Sequence, residues 1–203
     1  MRYLIEFGVI RLFSCLTEIR SRIRSLLQGQ DTVLVAIEGC CTAGKTTLAG
    51  LLAEEFDCNI FHMDDFFLQD HQRTPERFSQ AGGNVDYERF FQEVLLPLKA
   101  GEVVHLRPFD CRTRQLGEPV DMPVKGLNII EGTYSCHPHF GTPYDLTVFL
   151  RVSPELQRQR VLRRPEFLHR SFFESWIPME QTYFDTFSIE ESCDIRCGGQ
   201  EAL

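Results

Sequence analysis

Apolar residues along this chain form two kinds of pattern, short continuous runs and stripes at helical spacing, and the two alternate. The continuous runs are typical of strands buried on both faces and occupy residues 33–37, 59–63, 127–130 and 146–152. Stripes at helical spacing predict helices over residues 16–27, 45–55, 90–98, 153–164 and 167–187. Shorter runs at 103–106 and 194–197 predict two further strands. This alternation indicates an α/β fold, a doubly wound and mostly parallel sheet with helices on both faces.

Proline, glycine and polar clusters separate these elements. Ser153-Pro154-Glu155 has the residues that begin a helix, and Pro165 interrupts that helix before the next one starts. Pro178 is expected to disturb the last long helix. The polar stretch 69–84, with two adjacent glycines, predicts a mobile loop, and residues 107–125 predict an irregular segment. We expect residues 1–30 to form an N-terminal helical extension and residues 31–203 to form one domain.

Composition narrows the class of protein. The 203 residues are 43% hydrophobic and 25% charged, as in an ordinary globular domain. A formal net charge of −8 argues against nucleic acid as a partner. No apolar run approaches the roughly 20 residues that span a bilayer, and no secretory signal is recognisable, so no membrane association is expected. The eight cysteines form no C-x-x-C pair, which favours reduced thiols in a cytoplasmic protein.

The strongest chemical signal is a G-x-x-x-x-G-K-[ST] motif between the first predicted strand and the helix after it. Glycines let the backbone turn tightly and bring its N–H groups against phosphate oxygens, and the new helix points its positive end at the same anion. A simple glycine turn would explain the glycines but not the Lys-Thr pair. We therefore predict a nucleoside triphosphate site, formed by Gly39, Cys40, Cys41, Thr42, Ala43, Gly44, Lys45, Thr46 and Thr47.

Acidic residues follow two other strands of the predicted sheet. Glu131 ends the run 127–130, and Asp64-Asp65 end the run 59–63. Ligands bind outside the carboxyl ends of parallel strands, so these carboxylates are expected beside the phosphate loop. Either Glu131 or Asp64 could then hold Mg²⁺ together with the Thr46 hydroxyl. Neighbouring strand residues point to opposite faces, so only one of the two aspartates should face the site.

At these residues the chain resembles the uridine kinase-like branch of P-loop kinases, its bacterial uridine kinase-like members in particular. Nicotinamide riboside kinases and phosphoribulokinases are related. The resemblance covers about residues 31–197 and implies the P-loop NTPase fold with a helical lid, here about 158–187. Members have D-[SD]-F-[FY] after the second strand, and the first Asp is the proposed catalytic base. In this chain that residue is Asp64.

The same resemblance implies a substrate site. Asn84-Val85-Asp86 is similar to the family's N-F-D, which suggests Asp86 for the sugar hydroxyls. Phe109 and Arg114 fall in the family's nucleobase segment, although Phe109 stands where a tyrosine is often found. Tyr87-Glu88 replaces the expected H-P, so the acceptor is less well defined than the nucleotide. Three arginines resemble the family's lid residues, namely Arg160, Arg163 and Arg164.

Together these patterns predict a kinase that transfers the γ-phosphoryl of ATP or GTP, with Mg²⁺, to the 5′-hydroxyl of a nucleoside such as uridine. Lys45, Arg163 and Arg164 would stabilise the transferring phosphoryl group, and Asp64 would accept the hydroxyl proton. Alternative acceptors are nicotinamide riboside, a pantothenate-like alcohol or a sugar phosphate. A regulatory NTPase is the rival class, although the chain lacks its N-K-x-D and D-x-x-G motifs. Self-association stays open.

The cysteines of the phosphate loop raise a separate hypothesis. Cys40 and Cys41 precede a helix N-terminus and Lys45, a setting that lowers the pKa of a thiol. On that basis we expect sensitivity to thiol reagents.

Overall fold

The computed structural model describes residues 2–198, with side chains from residue 15 onward. Its strands are β1 (Val33–Gly39), β2 (Cys58–His62), β3 (Val104–Leu106), β4 (Phe109–Asp110), β5 (Gln115–Leu116), β6 (Val120–Met122), β7 (Leu127–Glu131), β8 (Leu146–Leu150) and β9 (Ile195–Cys197). Its helices are α1 (Arg2–Gly29), α2 (Lys45–Ala53), α3 (Pro75–Phe78), α4 (Tyr87–Phe90), α5 (Leu96–Ala100), α6 (Pro154–Val161), α7 (Glu166–Ser171), α8 (Ile177–Phe187) and α9 (Ile189–Ser192). None of these helices has the length and apolar character needed to cross a bilayer.

The central sheet has five parallel strands in the order β2-β7-β1-β8-β9. Alternate residues of β1 and β7 enter two separate hydrophobic cores. Val35 and Ile129 pack on the side of α1 and α2, whereas Leu34 and Ile130 pack on the side of α4, α5 and α8. The predicted α/β fold with a parallel sheet covered on both faces is therefore confirmed.

Helix α1 is part of the core on its side of the sheet. Leu16, Ile19 and Ile23 recur at helical spacing and are buried against β1, β8 and β9. A disulfide joins Cys15 of this helix to Cys197 of β9, whose Cα atoms lie 5.9 Å apart. The expectation of eight reduced thiols was therefore wrong for this pair, because the helix lies alongside the last strand.

The remaining differences from the sequence predictions are local. Strand β2 ends at His62, and Met63–Phe66 form a 3₁₀ turn where the prediction extended the strand. The predicted loop 69–84 contains two helical turns, Asp70–Gln72 and α3. The segment after β3 is not wholly irregular, because β6 pairs with β3 and β4 pairs with β5, both antiparallel.

Pro165 separates α6 from α7 as expected, whereas Pro178 only disturbs the helix that contains it. Ser153 caps α6, its side chain accepting from the Leu156 N–H. Pro178 does not end the last helix, because the backbone widens into a π-helical segment, Phe172–Trp176, just before it. The chain from 166 to 187 is thus one continuous helical element.

Replacing Ile23 tests the place of α1 in the core. Ile23→Ala should lower the free energy of unfolding by about 3 kcal/mol, because it removes a fully buried side chain and leaves a cavity. Urea unfolding followed by circular dichroism measures the change. Arg22→Ala, on the exposed side of the same turn, is the matched control and should change it by less than about 0.5 kcal/mol. Equal effects would show that α1 does not pack as described.

Candidate active site

The predicted phosphate loop, residues 39–46, connects β1 to α2, and its backbone conformation depends on two glycines. Gly39 has φ +136°, and a Cβ there would lie 2.1 Å from the carbonyl oxygen of Leu150, so only glycine fits. Gly44, at φ +106°, precedes the first residue of α2. Thr42 between them also has a positive φ of +61°. Tight turns with positive φ just before a helix N-terminus are the backbone conformation from which proteins build anion-binding loops.

Lys45 is buried and lies folded back on the loop. Its Nζ donates to the carbonyl oxygens of Gly39 at 2.8 Å and Cys40 at 2.9 Å. A third donation, at 3.1 Å, reaches the Thr133 Oγ1, two residues beyond the end of β7. The ammonium group is therefore held at the base of the loop, within a flexible side chain's reach of an anion bound there.

The Thr46 hydroxyl donates to the Glu131 Oε1 at 2.9 Å, which places an oxygen ligand pair beside the loop. His62 Nδ1 lies 2.6 Å from the same carboxylate oxygen. Hydrogen bonding to Glu131 raises the pKa of His62 despite its partial burial. Hydroxyl and carboxylate oxygens suit Mg²⁺, which takes one or two protein ligands plus phosphate and water. Within residues 2–198, no three His, Cys, Asp or Glu side chains form a metal site by themselves.

Asp64 lines the cleft beside this pair, whereas Asp65 does not. We expected only one aspartate to face the site because neighbouring strand residues point to opposite faces. Both residues lie on a 3₁₀ turn instead, so strand alternation is not the reason that only Asp64 lines the cleft. Burial by the surrounding protein raises the pKa of Asp64, and the Glu131 and Asp65 charges add to that rise while Lys45 opposes it. A carboxylate with a raised pKa near developing charge is suited to proton transfer.

The cleft has a volume of about 1340 Å³ and lies between the phosphate loop, the 3₁₀ turn and the helices after β8. Most of the residues that the sequence singles out line it, and these are Cys41, Thr42, Ala43, Gly44, Lys45, Thr46, Thr47, Asp64, Phe109, Arg114, Glu131, Arg160, Arg163 and Arg164. Gly39 and Cys40, the first two residues of the loop, do not line the cleft. One predicted substrate residue, Asp86, is also absent from the lining.

Asp86 is buried within a separate polar network. Its Oδ1 accepts from the Arg89 N–H and so caps α4, and its Oδ2 accepts from Gln72 Nε2 at 2.9 Å. The Arg89 guanidinium lies 3.5 Å from the same oxygen. Because both oxygens are occupied by protein groups, this carboxylate does not point a free acceptor into the cleft in this structure.

The arginines at the end of α6 form the opposite wall. Arg160 Nη1 donates to the carbonyl oxygen of Thr42 at 2.7 Å and so links α6 to the phosphate loop. Arg163 and Arg164 line the cleft, and no carboxylate of the described residues lies within 4.0 Å of either guanidinium. Two cationic groups are therefore free to meet an anion.

Two buried glutamates support the loop, and sequence reasoning missed both. Glu38 accepts from the N–H groups of Gly39, Tyr134 and Cys136 and from the Tyr183 hydroxyl. Burial raises its pKa to about 7, against the opposing effect of these donors and Lys45. An acid at the end of an apolar strand is a signal that could have been read. Glu180 of α8, by contrast, has no sequence signal linking it to the loop.

The thiols of the loop are not activated. Burial is the main cause that raises the pKa of both Cys40 and Cys41, and the charge of Glu180 adds to it. The expected net lowering of these pKa values was wrong: Lys45 does lower the pKa of both thiols, but the burial of Cys40 and the partial burial of Cys41 outweigh it.

Comparison with known proteins supports this description of the fold. The sequence matches no family model and no curated protein. A structure described as a possible uridine kinase from Bacillus stearothermophilus superposes with a TM-score of 0.64 at 22% identity, covering 89% of this chain and 100% of that one. A shikimate kinase from Bacteroides thetaiotaomicron gives 0.41 at 14% identity, covering 81% of this chain and 85% of that one. The first likeness shows that this chain shares that protein's fold.

The free energy of unfolding should depend on pH because Glu38 titrates. Its pKa is raised on folding from 4.5 to about 7, so the proton it retains favours the folded state at low pH. We expect this contribution to be lost as pH rises from about 5 to about 8. Urea unfolding over that range measures the slope for the wild type and for Glu38→Gln, which cannot titrate. An identical slope in both proteins would contradict the prediction.

Proposed function

We propose that this protein is a kinase that transfers the γ-phosphoryl group of ATP or GTP to a hydroxyl of a small molecule. The observation that carries the proposal is the convergence of Lys45, the Thr46–Glu131 pair and Asp64 on one cleft at the carboxyl edge of a parallel sheet. The likeness of fold to a possible uridine kinase is consistent with it.

Each group has a role that its position supports. The loop amides and Lys45 would bind the β- and γ-phosphates, and Lys45 would leave the Gly39 and Cys40 carbonyls to do so. Arg163 and Arg164 would meet the charge of the transferring group and exclude water as the lid closes. Asp64 would orient the acceptor hydroxyl and take its proton.

Thr46 and Glu131 would hold Mg²⁺, and Asp64, which lines the same cleft, would help to place the ion through a bound water. The ion, when bound, would neutralise charge on the β- and γ-phosphates. His62 would keep Glu131 oriented through its 2.6 Å contact.

A nucleoside, with uridine as the first to test, is the proposed acceptor. Phe67, Phe78 and Phe109 line the cleft and offer apolar faces to a flat base. The family resemblance noted above favours the same acceptor. Asp86 does not support it directly, since its carboxylate is engaged by Arg89 and Gln72.

A second acceptor class is favoured by one observation, an unpaired cation on the acceptor side. Arg73 lines the cleft and lies over the Phe78 ring at 5.1 Å, and none of the described carboxylates lies within 4.0 Å of it. Its neighbour Arg114 already pairs with Asp70. A free guanidinium away from the lid suits an alcohol that carries a carboxylate or phosphate.

Replacing Asp64 tests the proposed chemistry. Asp64→Asn should lower kcat by at least about a thousandfold, because the amide cannot accept the hydroxyl proton. Nucleotide affinity should change by less than about threefold, since the phosphate loop is intact. ADP release with Mg-ATP and a panel of alcohols measures turnover, and calorimetry measures affinity. Asp65→Asn, one residue away and outside the cleft, is the matched control. Substantial turnover by Asp64→Asn removes this residue from the base role.

Replacing Arg73 separates the two acceptor classes. For an anionic alcohol, Arg73→Gln should raise the acceptor KM by about tenfold or more, while the KM for ATP stays unchanged. For a neutral nucleoside neither constant should move. Arg112→Gln is the control, because Arg112 is almost fully exposed and does not line the cleft. Efficient phosphorylation of uridine that is insensitive to Arg73→Gln would eliminate the anionic class.

A further inference from the structure

One face of the helical element 166–187 runs along the cleft and reaches the phosphate loop. Leu168, Phe172, Trp176 and Glu180 follow each other at intervals of four residues, and all four line the cleft. The helix is continuous from α7 through the π-helical segment to α8. Because the helical element is continuous, we expect a displacement at Glu180 to move Trp176, its neighbour on this face.

Glu180 is buried and directly bonded to the phosphate loop. Its Oε2 accepts from the Cys41 N–H at 2.9 Å, and its Oε1 lies 3.4 Å from the Thr133 Oγ1. Thr133 in turn receives the Lys45 Nζ at 3.1 Å. The Glu180 carboxylate thus bonds to the backbone of the loop, and it belongs to the same hydrogen-bond network as the Lys45 ammonium group.

The charge of Glu180 conflicts with the anion that this loop is built to bind. Burial raises its pKa, and the Lys45 charge and the Cys41 N–H oppose that rise, so the carboxylate is stabilised by the very groups that a triphosphate would engage. When Lys45 moves to phosphate oxygens, Glu180 loses its compensating cation and faces a polyanion at short range.

We propose that Glu180 is a positioning residue that holds the phosphate loop when no phosphate is bound. When phosphates enter, it is displaced and moves the helical element 166–187 with it. The carboxylate accepts from a loop N–H that a bound phosphate would otherwise engage. Phosphate binding is therefore coupled to the position of Trp176 and of the helical element that carries it. This inference rests on the proposed nucleotide site and adds a specific coupling to it.

The charge conflict can be measured with ligands that differ only in phosphate number. Glu180→Gln keeps the volume and an oxygen acceptor but removes the charge. It should tighten ATP binding by about fivefold, ADP binding by about twofold, and leave AMP within error, because the repulsion grows with phosphate charge. Calorimetry with magnesium present measures all three. Glu174→Gln, on the same helix but exposed and outside the cleft, is the matched control and should change none of them.

Trp176 provides a second readout, since it is the single tryptophan of the chain. Saturating Mg-ATP should shift its fluorescence in the wild type. Glu180→Ala, which removes the bond to Cys41, should shift the emission of the free protein toward that of the nucleotide-bound wild type. Thermal unfolding of each variant shows that it is folded.

The outcomes separate this inference from the proposed function. Nucleotide binding with no increase in effect from AMP to ATP, or with no change in Trp176 emission, overturns the coupling and leaves the kinase proposal intact. Failure of the wild type and Glu180→Gln alike to bind any nucleotide overturns both. The graded affinities together with the emission shift support the coupling, because a merely structural role would not depend on phosphate number.

Discussion

The candidate site depends on the in-register parallel pairing of three strands. Strand β7 lies between β1 and β2, with Glu131 opposite Ile37 on one side and opposite His62 on the other. The register is fixed by apolar residues buried on both faces, since a slip of one residue would exchange the two cores. Packing of Val, Ile and Leu side chains therefore decides where Glu131 lies relative to the first residues of α2.

Buried charge near the loop follows from this arrangement. Lys45, Glu38 and Glu180 lie within the protein, and each is held by several hydrogen bonds. Burying such groups is costly unless they are paired and satisfied, so the network is a weak source of stability. What it provides is a defined backbone: Glu38 connects the loop to the chain after β7 and to Tyr183, and Glu180 connects it to α8.

How much of this was readable from the sequence depends on the range of each interaction. Strands such as β1 and the helix after it follow from continuous runs and local spacing, and the phosphate loop follows from a motif of eight residues. The 3₁₀ turn carrying Asp64 was not predicted, because the apolar run continues one residue past the strand. Two contacts join residues far apart in the chain: Glu180 and Cys41 are separated by 139 residues, and Cys15 and Cys197 by 182. Such contacts produce no local pattern in the sequence. They depend on the packing of whole helices.

Net charge, finally, is a poor guide to the local charge of this cleft. The chain carries a formal charge of −8, yet the lining of the cleft includes Lys45 and five arginines, Arg73, Arg114, Arg160, Arg163 and Arg164. At physiological ionic strength, charges beyond about 8 Å are largely screened, so an anion in the cleft responds to these cations more than to distant surface acids. The carboxylates that share the cleft, Asp64, Glu131 and Glu180, all lie near Lys45 or Thr46. Arginines on the walls, with Lys45 and three carboxylates beside the phosphate loop, are the charges that the proposed phosphoryl transfer needs, because it must bind a polyanion, a metal ion and a proton.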